Sequence, residues 1–270
     1  IETARKMYIY AKKSKFLNPV GIHFHIGSQL TDISPICDAA KIVSDLLREL
    51  RALEIDIKFF DVGGGIGIRY EDEKQIVLYD YAQGILKSLS GLDITIVCEP
   101  GRFITGASGV LLTRVLYEKQ NCGKRFVIVD GAMNDLIRPS LYGVHHAIEI
   151  VSASEGINLN EPGAREVNLG GRGSDQTSGS CADEKNLGGV NLAAASLCDV
   201  VGPICESGDF LAKGVSLPSL QSGDLLAVQS AGAYGFSMSS NYNTRCRAAE
   251  VAVYDGQDRL IRKRESFDEL

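Results

Sequence analysis

The chain has 270 residues, of which 44% are hydrophobic and 23% are charged, and its formal net charge is -6. This composition is ordinary for a globular protein of one large or two modest domains. The acidic balance argues against nucleic acid as a partner, because a phosphate backbone requires a basic surface. No apolar run approaches the roughly 18 residues that a membrane span requires, and no signal peptide is visible.

The cysteines argue for a reducing compartment. Seven occur at wide spacings, and none forms a CxxC pair. An odd number without paired spacings argues against a disulfide framework or a zinc site. We therefore expect a cytoplasmic protein, in which most of these thiols are small core residues or have no particular role.

The first 105 residues alternate between helical and extended patterns. The sequence predicts helices over residues 3–12, 34–53 and 79–89, and strands over residues 20–26, 57–62 and 94–98. Ser34 is expected to cap the second helix, with Pro35 in its first turn. This alternation is typical of a parallel α/β sheet. Because the chain begins at Ile1 directly in a predicted helix, we expect that upstream residues are missing.

The pattern changes near residue 105, which we take as a domain boundary. Residues 106–270 contain strand-like segments, at 110–117, 125–129, 225–229 and 249–254, and little helical periodicity. The sequence therefore predicts a mostly β second domain, of the barrel or sandwich type. Residues 161–197 are rich in Gly, Asn, Ser and Ala, which favours a flexible surface insertion. The alternatives are an insertion that is foreign to the fold and a sequence artefact.

Three motifs follow the three predicted strands, at the edge where α/β barrels carry their chemistry. The first is HFHIGS, which starts at His23. Two histidines separated by one residue face the same side of a strand and can bind a metal, but no partner set of Asp or Cys accompanies them. The alternatives are a structural histidine pair, or a flat ring that stacks on a planar cofactor with Ser28 close to a phosphate.

The second and third motifs are DVGGGIG, which starts at Asp61, and EPGR, which starts at Glu99. Consecutive glycines let backbone N–H groups approach a phosphate closely, although a tight strand-to-helix turn needs the same residues. In EPGR, a local salt bridge is one interpretation. The other is that Arg102 pairs with phosphate while Glu99 meets a protonated ring nitrogen.

Six motifs, in chain order, resemble those of the fold-type III pyridoxal-phosphate-dependent decarboxylases: HFHIGSQ, DVGGGIG, CEPGRF, DLIRPSLY, GPICESGD and AGAYGFSMSSNYN. The similarity is greatest to the branch that converts meso-2,6-diaminopimelate to L-lysine, the last step of lysine biosynthesis. The resemblance implies an α/β barrel, a following β domain and an active site between the two. It also implies a homodimer with shared active sites and pyridoxal 5'-phosphate as the cofactor. Related decarboxylases that act on ornithine, arginine or carboxynorspermidine are the alternatives.

The resemblance also implies a role for individual residues. His25 would stack on the pyridine ring, Glu99 would pair with its nitrogen, and Cys205 of the partner subunit would protonate the intermediate. The cofactor would further contact Ser28, Gly63, Gly64, Gly65, Gly101, Arg102 and Tyr234. The substrate would be held by Arg102, Arg138, Tyr142, Glu206 and Tyr234. No metal is implied.

One departure from the family pattern concerns the cofactor lysine, which the family carries on an early barrel strand. The lysines that precede HFHIGS belong to an exposed helix and its exit, namely Lys6, Lys12, Lys13 and Lys15. We therefore expect the lysine and about half of the barrel to be absent, and this chain alone to be inactive. A non-catalytic homologue that binds a partner subunit is the remaining alternative.

Overall fold

The computed structural model describes residues 1–152 and 195–270, in two compact units, Ile1–Gly109 and Val110–Leu270. The insertion predicted over residues 161–197 lies almost entirely outside the described residues. Among the described residues, no helix has the length and apolarity needed to cross a bilayer. The two units are described separately below.

Unit 1 is a small parallel α/β assembly. Its helices and strands are α1 (Glu2–Lys13), β1 (Gly21–His23), α2 (Ser34–Ala52), β2 (Phe59–Asp61), α3 (Leu78–Ser88), β3 (Thr95–Val97) and α4 (Gly101–Thr105). The strands pair in the order β1-β2-β3, and both pairings are parallel. All six elements predicted for this region are present, and the strands are shorter than expected.

The core of unit 1 lies between the sheet and its helices. One face of α2 carries an apolar stripe that is buried, including Ile36, Leu47 and Leu50. Phe60, in the central strand, is fully buried within the same cluster. This packing fixes the strands so that their polar carboxyl ends remain outside the core.

The predicted start of α2 is wrong in one detail. Ser34 is the first helical residue rather than the cap, and no side chain caps the preceding Ile33 position. Asp32 instead accepts hydrogen bonds from both the backbone N–H and the hydroxyl of Ser34, each at 2.9 Å. The hydrogen bond from the Ser34 N–H holds the pKa of the Asp32 carboxyl below its usual value.

Unit 2 is mostly β structure. It contains β4 (Leu111–Asn121), β5 (Lys124–Val129), α5 (Arg138–Tyr142), β6 (Ile148–Ser152), β7 (Ser196–Val201), β8 (Phe210–Leu217), β9 (Leu225–Val228), β10 (Glu250–Tyr254) and β11 (Gln257–Arg262). Six strands form one sheet in the order β6-β9-β4-β5-β7-β8, and β10-β11 form a separate hairpin. Every pairing in the large sheet is antiparallel except that of β5 with β7.

A buried ion pair links two central strands of this sheet, β4 and β5. The guanidinium of Arg125 on β5 bonds to both carboxylate oxygens of Glu118 on β4, and it also donates to the carbonyls of Leu217 and Pro218. The bond to Glu118 raises the pKa of Arg125. Because Arg125 is almost fully buried, these acceptors replace the water that its charge loses on folding.

Candidate active site

The three strand-end motifs of unit 1 meet at one edge of the sheet. The register aligns His23 of β1 with Asp61 of β2, and Asp61 with Val97 of β3. Because the strands are parallel, the segments that follow all three residues leave from the same edge. The structure therefore confirms that HFHIGS, DVGGGIG and EPGR lie together at the carboxyl ends of neighbouring strands.

The glycines at residues 63–65 allow these segments to touch. A Cβ atom at each position would lie only 2.3–2.4 Å from a backbone carbonyl oxygen, which no real Cβ tolerates. The three carbonyls belong to Phe24, Glu99 and Gly27 respectively. Gly63 and Gly65 also have φ values of +67° and +102°, a region that other residues rarely adopt. The glycine run is thus needed for the close approach of three backbone segments.

Hydrogen bonds fix the glycine segment against the first motif. The N–H of Gly63 donates to Asp61 Oδ1 at 2.8 Å, and the N–H of Gly64 donates to His25 Nδ1 at 3.3 Å. Since His25 Nδ1 accepts, the proton of a neutral imidazole lies on Nε2. The N–H of Glu99 donates to the carbonyl of Gly63 at 2.8 Å, which attaches the third motif to the same segment.

Arg102 lies at the start of α4 and reaches back to the first motif. Its guanidinium donates to Ser28 Oγ at 3.0 Å and to the hydroxyl of Tyr70 at 2.7 Å. The guanidinium carbon also lies 5.9 Å from the centre of the Tyr70 ring. Ser28 follows Gly27, whose carbonyl lies against Gly65, so Arg102, Ser28 and the glycine segment lie at one corner of the sheet edge.

A polar cluster adjoins this corner. His23 Nε2 lies 3.4 Å from Glu99 Oε2, and ligand-type atoms of His23, Asp61 and Glu99 all lie within 4.8 Å of one another. The two histidines of HFHIGS therefore have different partners, since His25 contacts the glycine segment. The strand ends at His23, so the two-residue period used to pair the histidines does not extend to His25. The carboxylates of Asp61 and Glu99 could bind either a divalent cation or a protonated ring nitrogen.

In unit 2, the predicted Arg138 lies in a buried polar group. Arg138 is 3% exposed and His146 is 1% exposed, and Arg138 Nη1 lies 3.0 Å from His146 Nε2. The Arg138 guanidinium carbon lies 6.0 Å from the centre of the Tyr234 ring. Tyr234 adopts φ +62°, an uncommon conformation for a bulky residue. Two residues from distant motifs, DLIRPSLY and AGAYGFSMSSNYN, are therefore brought together.

The GPICESGD segment packs beside α5, the helix that begins at Arg138. Asp209 accepts hydrogen bonds from the N–H groups of Ile204, at 2.6 Å, and Met133, at 2.7 Å. A Cβ at Gly208 would lie 2.5 Å from the hydroxyl oxygen of Ser140 on α5. The side chains predicted to act on substrate, Cys205, Glu206 and Tyr142, are exposed in this region. The segment is therefore held by buried groups while these side chains stay accessible.

Asn134, directly before the DLIRPSLY motif, forms hydrogen bonds with the AGAYGFSMSSNYN motif. The Asn134 amide donates to the carbonyl of Ser240 at 3.1 Å and to that of Tyr242 at 2.8 Å. Next to it, burial raises the pKa of the Asp135 carboxyl, although the N–H of Ala132 and the guanidinium of Arg245 act in the opposite direction. Unit 2 thus assembles three motifs that are separated by up to about a hundred residues.

Two polar residues of these groups were not predicted. Tyr70 follows the glycine run in a segment without a predicted element, and nothing in the sequence distinguishes it from other loop tyrosines. Nothing in the sequence separates His146, which is buried, from His145, which is exposed. The contacts of Tyr70 with Arg102 and of His146 with Arg138 depend on the tertiary structure, which the local sequence pattern does not predict.

Together, the two units define a mixed α/β protein, in which unit 1 brings a glycine segment, Arg102 and Ser28 to one corner and unit 2 is mostly β-sheet. A family profile described as "Pyridoxal-dependent decarboxylase, C-terminal sheet domain" matches residues 7–232. The chain belongs to this family of pyridoxal-dependent decarboxylases.

Several relatives are named diaminopimelate decarboxylase. The chain is 55% identical to that of Campylobacter jejuni over 270 residues, which covers 100% of the chain and 58% of the relative. It is 49% identical to that of Helicobacter pylori, covering 99% of the chain and 57% of the relative. A crystal structure of the H. pylori protein complexed with L-lysine has a TM-score of 0.81 at 48% identity, over 99% of this chain and 57% of that one. The chain thus spans a little over half the length of the relatives it matches.

Proposed function

We propose that this chain is part of a pyridoxal-phosphate-dependent enzyme that decarboxylates meso-2,6-diaminopimelate to L-lysine. Family membership and the 49–55% identity to proteins named diaminopimelate decarboxylase support this proposal. The observation that carries it is the corner of unit 1, where three glycines without room for a Cβ meet His25 and the Arg102–Ser28 pair.

The donor set of this corner fits a phosphate ester. The glycine backbone can approach an anion closely, and a guanidinium pairs with phosphate oxygens through two parallel N–H groups. Residues 63–65, Ser28 and Arg102 would hold the phosphate, with Gly101 at the start of α4 nearby. Replacing these contacts with water would weaken binding strongly, because hydrogen bonds to charged groups contribute about 1.5–3 kcal/mol each.

The polar cluster fits the other end of the cofactor. The Glu99 carboxylate would face the pyridine nitrogen and keep it protonated, and His23 lies beside Glu99 at 3.4 Å. His25 would present the flat face of its ring to the pyridine. When bound, pyridoxal phosphate supplies an electron sink for the electron pair that remains after carbon dioxide leaves.

The groups of unit 2 suit the substrate. Arg138 would bind the distal carboxylate, while Tyr142 and Glu206 would bind the distal end with its amine. Tyr234, close to Arg138, would lie by the cofactor. Cys205 would donate a proton from Sγ to the carbon that has lost its carboxylate. Its exposure supports this role, since a buried structural thiol would not be accessible to a substrate.

The similarity to the diaminopimelate decarboxylases also supports proposals about the complete protein. The three parallel strands of unit 1 would belong to a (β/α) barrel, and the enzyme would be a homodimer in which Cys205 serves the partner's active site. The protein would work in the cytoplasm. The 270 residues alone would be inactive, because the described strands β1 and β3 lie at unpaired edges and no lysine directly follows β1, β2 or β3.

The test is a substrate panel with the complete gene product, purified and saturated with pyridoxal phosphate. We expect lysine and carbon dioxide from meso-diaminopimelate, and turnover of ornithine and arginine at least about a hundredfold less efficient, because neither presents the distal carboxylate. Equal turnover of ornithine or arginine would assign another substrate. Cofactor binding without any turnover would support a non-catalytic homologue.

A substitution tests the substrate contacts. Glu206→Ala is expected to raise KM for diaminopimelate about tenfold or more, since one charged hydrogen bond is lost. Glu149→Ala, at an exposed position on β6, is the matched control and should leave KM unchanged. An unchanged KM in Glu206→Ala would contradict the assignment of this residue.

A further inference from the structure

Asp209 is a buried residue of unit 2 to which the proposed reaction assigns no role. It is the last residue of the GPICESGD motif, directly before β8, and it is 5% exposed. Its Oδ2 accepts a hydrogen bond from the N–H of Ile204 at 2.6 Å, and its Oδ1 accepts one from the N–H of Met133 at 2.7 Å. The carboxylate therefore connects the motif to the segment that precedes α5, through hydrogen bonds of the strong, charge-assisted kind.

The backbone of Asp209 binds the same motif a second time. Its N–H donates to the carbonyl of Glu206 at 3.0 Å, and the N–H of Glu206 donates to the carbonyl of Ile204 at 2.8 Å. Residues 204 and 206 are the two neighbours of Cys205 in the chain. Asp209 thus holds Cys205 from both sides, with its side chain at residue 204 and with its N–H at residue 206.

The packing around this loop leaves the carboxylate little freedom. A Cβ at Gly202 would lie 2.5 Å from both carboxylate oxygens of Asp209, so the side chain packs directly against the Gly202 backbone. The N–H of Gly202 also donates to the carbonyl of Asp209 at 3.2 Å. A Cβ at Gly208 would lie 2.5 Å from Ser140 Oγ on α5. The loop that carries Cys205 is therefore closed on itself and packed against its neighbours by groups other than the thiol.

The side chain of Cys205, in contrast, is exposed. An exposed side chain has several rotamers and moves with its loop. Delivery of a proton to a carbon atom requires a donor that is within reach of that atom, and a misplacement of about 1 Å can cost about a hundredfold in rate. A thiol in this role therefore depends on a rigid backbone, and the contacts of Asp209 supply that rigidity.

We propose that Asp209 is a positioning residue, which holds the backbone around Cys205 so that the thiol delivers its proton to one face of the carbon. This inference rests on the proposed function, in which Cys205 is the proton donor. In that step the S–H bond breaks and its electrons remain on sulfur. The electron pair on carbon forms the new C–H bond, and the thiolate regains a proton from water. Asp209 touches neither the substrate nor the reacting atoms.

Asp209→Asn tests this role with the smallest change of shape. An amide accepts on one atom only, so one of the two N–H groups loses its acceptor. Loss of the Ile204 bond opens the loop, and loss of the Met133 bond frees the closed loop from its neighbour, so that Cys205 is loosened in either case. Asp199→Asn is the matched control, because Asp199 is also buried in unit 2 and also accepts a backbone N–H.

The readout is the configuration of the new C–H bond after turnover in deuterium oxide. The complete, cofactor-loaded gene product places a deuterium on the carbon that lost its carboxylate, and NMR of a chiral derivative of the lysine measures the ratio of the two configurations. We expect a single configuration from the wild type and from Asp199→Asn. Cys205→Ala and Asp209→Asn should give a mixture, because water then reaches both faces, and turnover by Asp209→Asn should fall about tenfold or more. KM is not the readout, because Glu206 lies on the same loop.

Gly202→Ala is a second variant that keeps both acceptor oxygens. Gly202 is not at positive φ, so alanine can adopt its backbone conformation. The added Cβ, 2.5 Å from both oxygens of Asp209 and 2.7 Å from the carbonyl oxygen of Gly131, displaces the carboxylate from its place. This variant should give a mixture as well.

The ratio of configurations reports only on molecules that turn over, so partial unfolding of a variant does not change it. A single configuration from Asp209→Asn or Gly202→Ala, beside a mixture from Cys205→Ala, would overturn the inference. A mixture from Asp199→Asn as large as that from Asp209→Asn would show an unspecific loss of packing and would overturn it too. A mixture from the wild type, or a single configuration from Cys205→Ala, would instead contradict the proposed role of Cys205 and this inference with it.

Discussion

Substitution of Gly64 by alanine tests whether the glycine segment is needed for close contact rather than for flexibility. Gly64, unlike Gly63 and Gly65, does not have a positive φ, so alanine can adopt its backbone conformation. The only obstacle is the carbonyl oxygen of Glu99, 2.3 Å from the position of the added Cβ. Any effect of Gly64→Ala therefore comes from the separation of two backbone segments.

The geometry gives the size of the effect. The separation falls 0.7 Å short of 3.0 Å, below which real Cβ atoms are essentially never found, so the segment that carries Glu99 must move by at least that amount. Overpacking of this kind costs about 1–3 kcal/mol, and each kcal/mol lowers Tm by about 2–4 °C in a protein of 150–250 residues. Displacement of one amide and of Glu99 should also weaken cofactor binding about tenfold or more.

Thermal unfolding and titration with pyridoxal phosphate measure the two effects. Gly101→Ala is the folding control, because a Cβ there meets nothing within 4 Å and Gly101 is also not at positive φ. Its stability should stay within about 0.5 kcal/mol of the wild type. If Gly64→Ala unfolds at the wild-type temperature and binds the cofactor with wild-type affinity, the reasoning about the glycine segment is wrong.

Three further predictions concern unit 2. Arg125→Met should lower the free energy of unfolding by about 3–5 kcal/mol in denaturant titrations, because Glu118 loses its buried cationic partner. The control Arg262→Met, at an exposed ion pair, should cost less than about 1 kcal/mol. Equal costs for the two variants would contradict the role of the buried ion pair. The N–H of Arg247 and further hydrogen bonds hold the pKa of Glu265 below its usual value, so its stabilisation is present above the ordinary carboxyl pKa and is lost as pH falls through the lowered one. The Tm difference between wild type and Glu265→Gln should therefore shrink from pH 7 towards pH 3, and a constant difference would refute the assignment. Asp209→Asn should cost about 1–3 kcal/mol in denaturant titrations, since an amide can accept on one atom only, and an unchanged stability would show that the two N–H contacts are not both needed.

The sequence predicts unit 1 well because its signals are local. The strands and helices alternate, and α2 carries a stripe in which Ile36, Leu47 and Leu50 recur at helical spacing and are buried. The parallel arrangement then follows, and it brings the three strand-end motifs to one edge. The predicted cap of α2 was wrong because both Asp32 and Ser34 are residue types that suit a helix start. Which of the two side chains accepts a hydrogen bond from the first N–H groups depends on the conformation of the preceding turn.

Unit 2 was predicted less completely because its strands do not have a simple alternation. In β7 the buried Asp199 interrupts an apolar run, yet it accepts bonds from Lys124 and from the N–H of Gly214. In β8, Gly214 itself has φ +63°, which a regular strand does not predict. These residues are compatible with strands only through partners that lie elsewhere in the chain. The partnership of Arg138 with His146 was missed for the same reason.

The two groups that are proposed to bind the cofactor and the substrate differ in how substitutions can alter them. The corner of unit 1 depends on backbone atoms and on glycines without room for a Cβ, so a substitution at any of residues 63–65 pushes the glycine segment away from a neighbouring backbone segment. In unit 2, the proposed substrate contacts are made by side chains, those of Arg138, Tyr142 and Glu206. If the proposed roles hold, changes of substrate should arise in unit 2 while cofactor binding is maintained. A variant of Glu206 that altered phosphate affinity as strongly as substrate preference would contradict this separation.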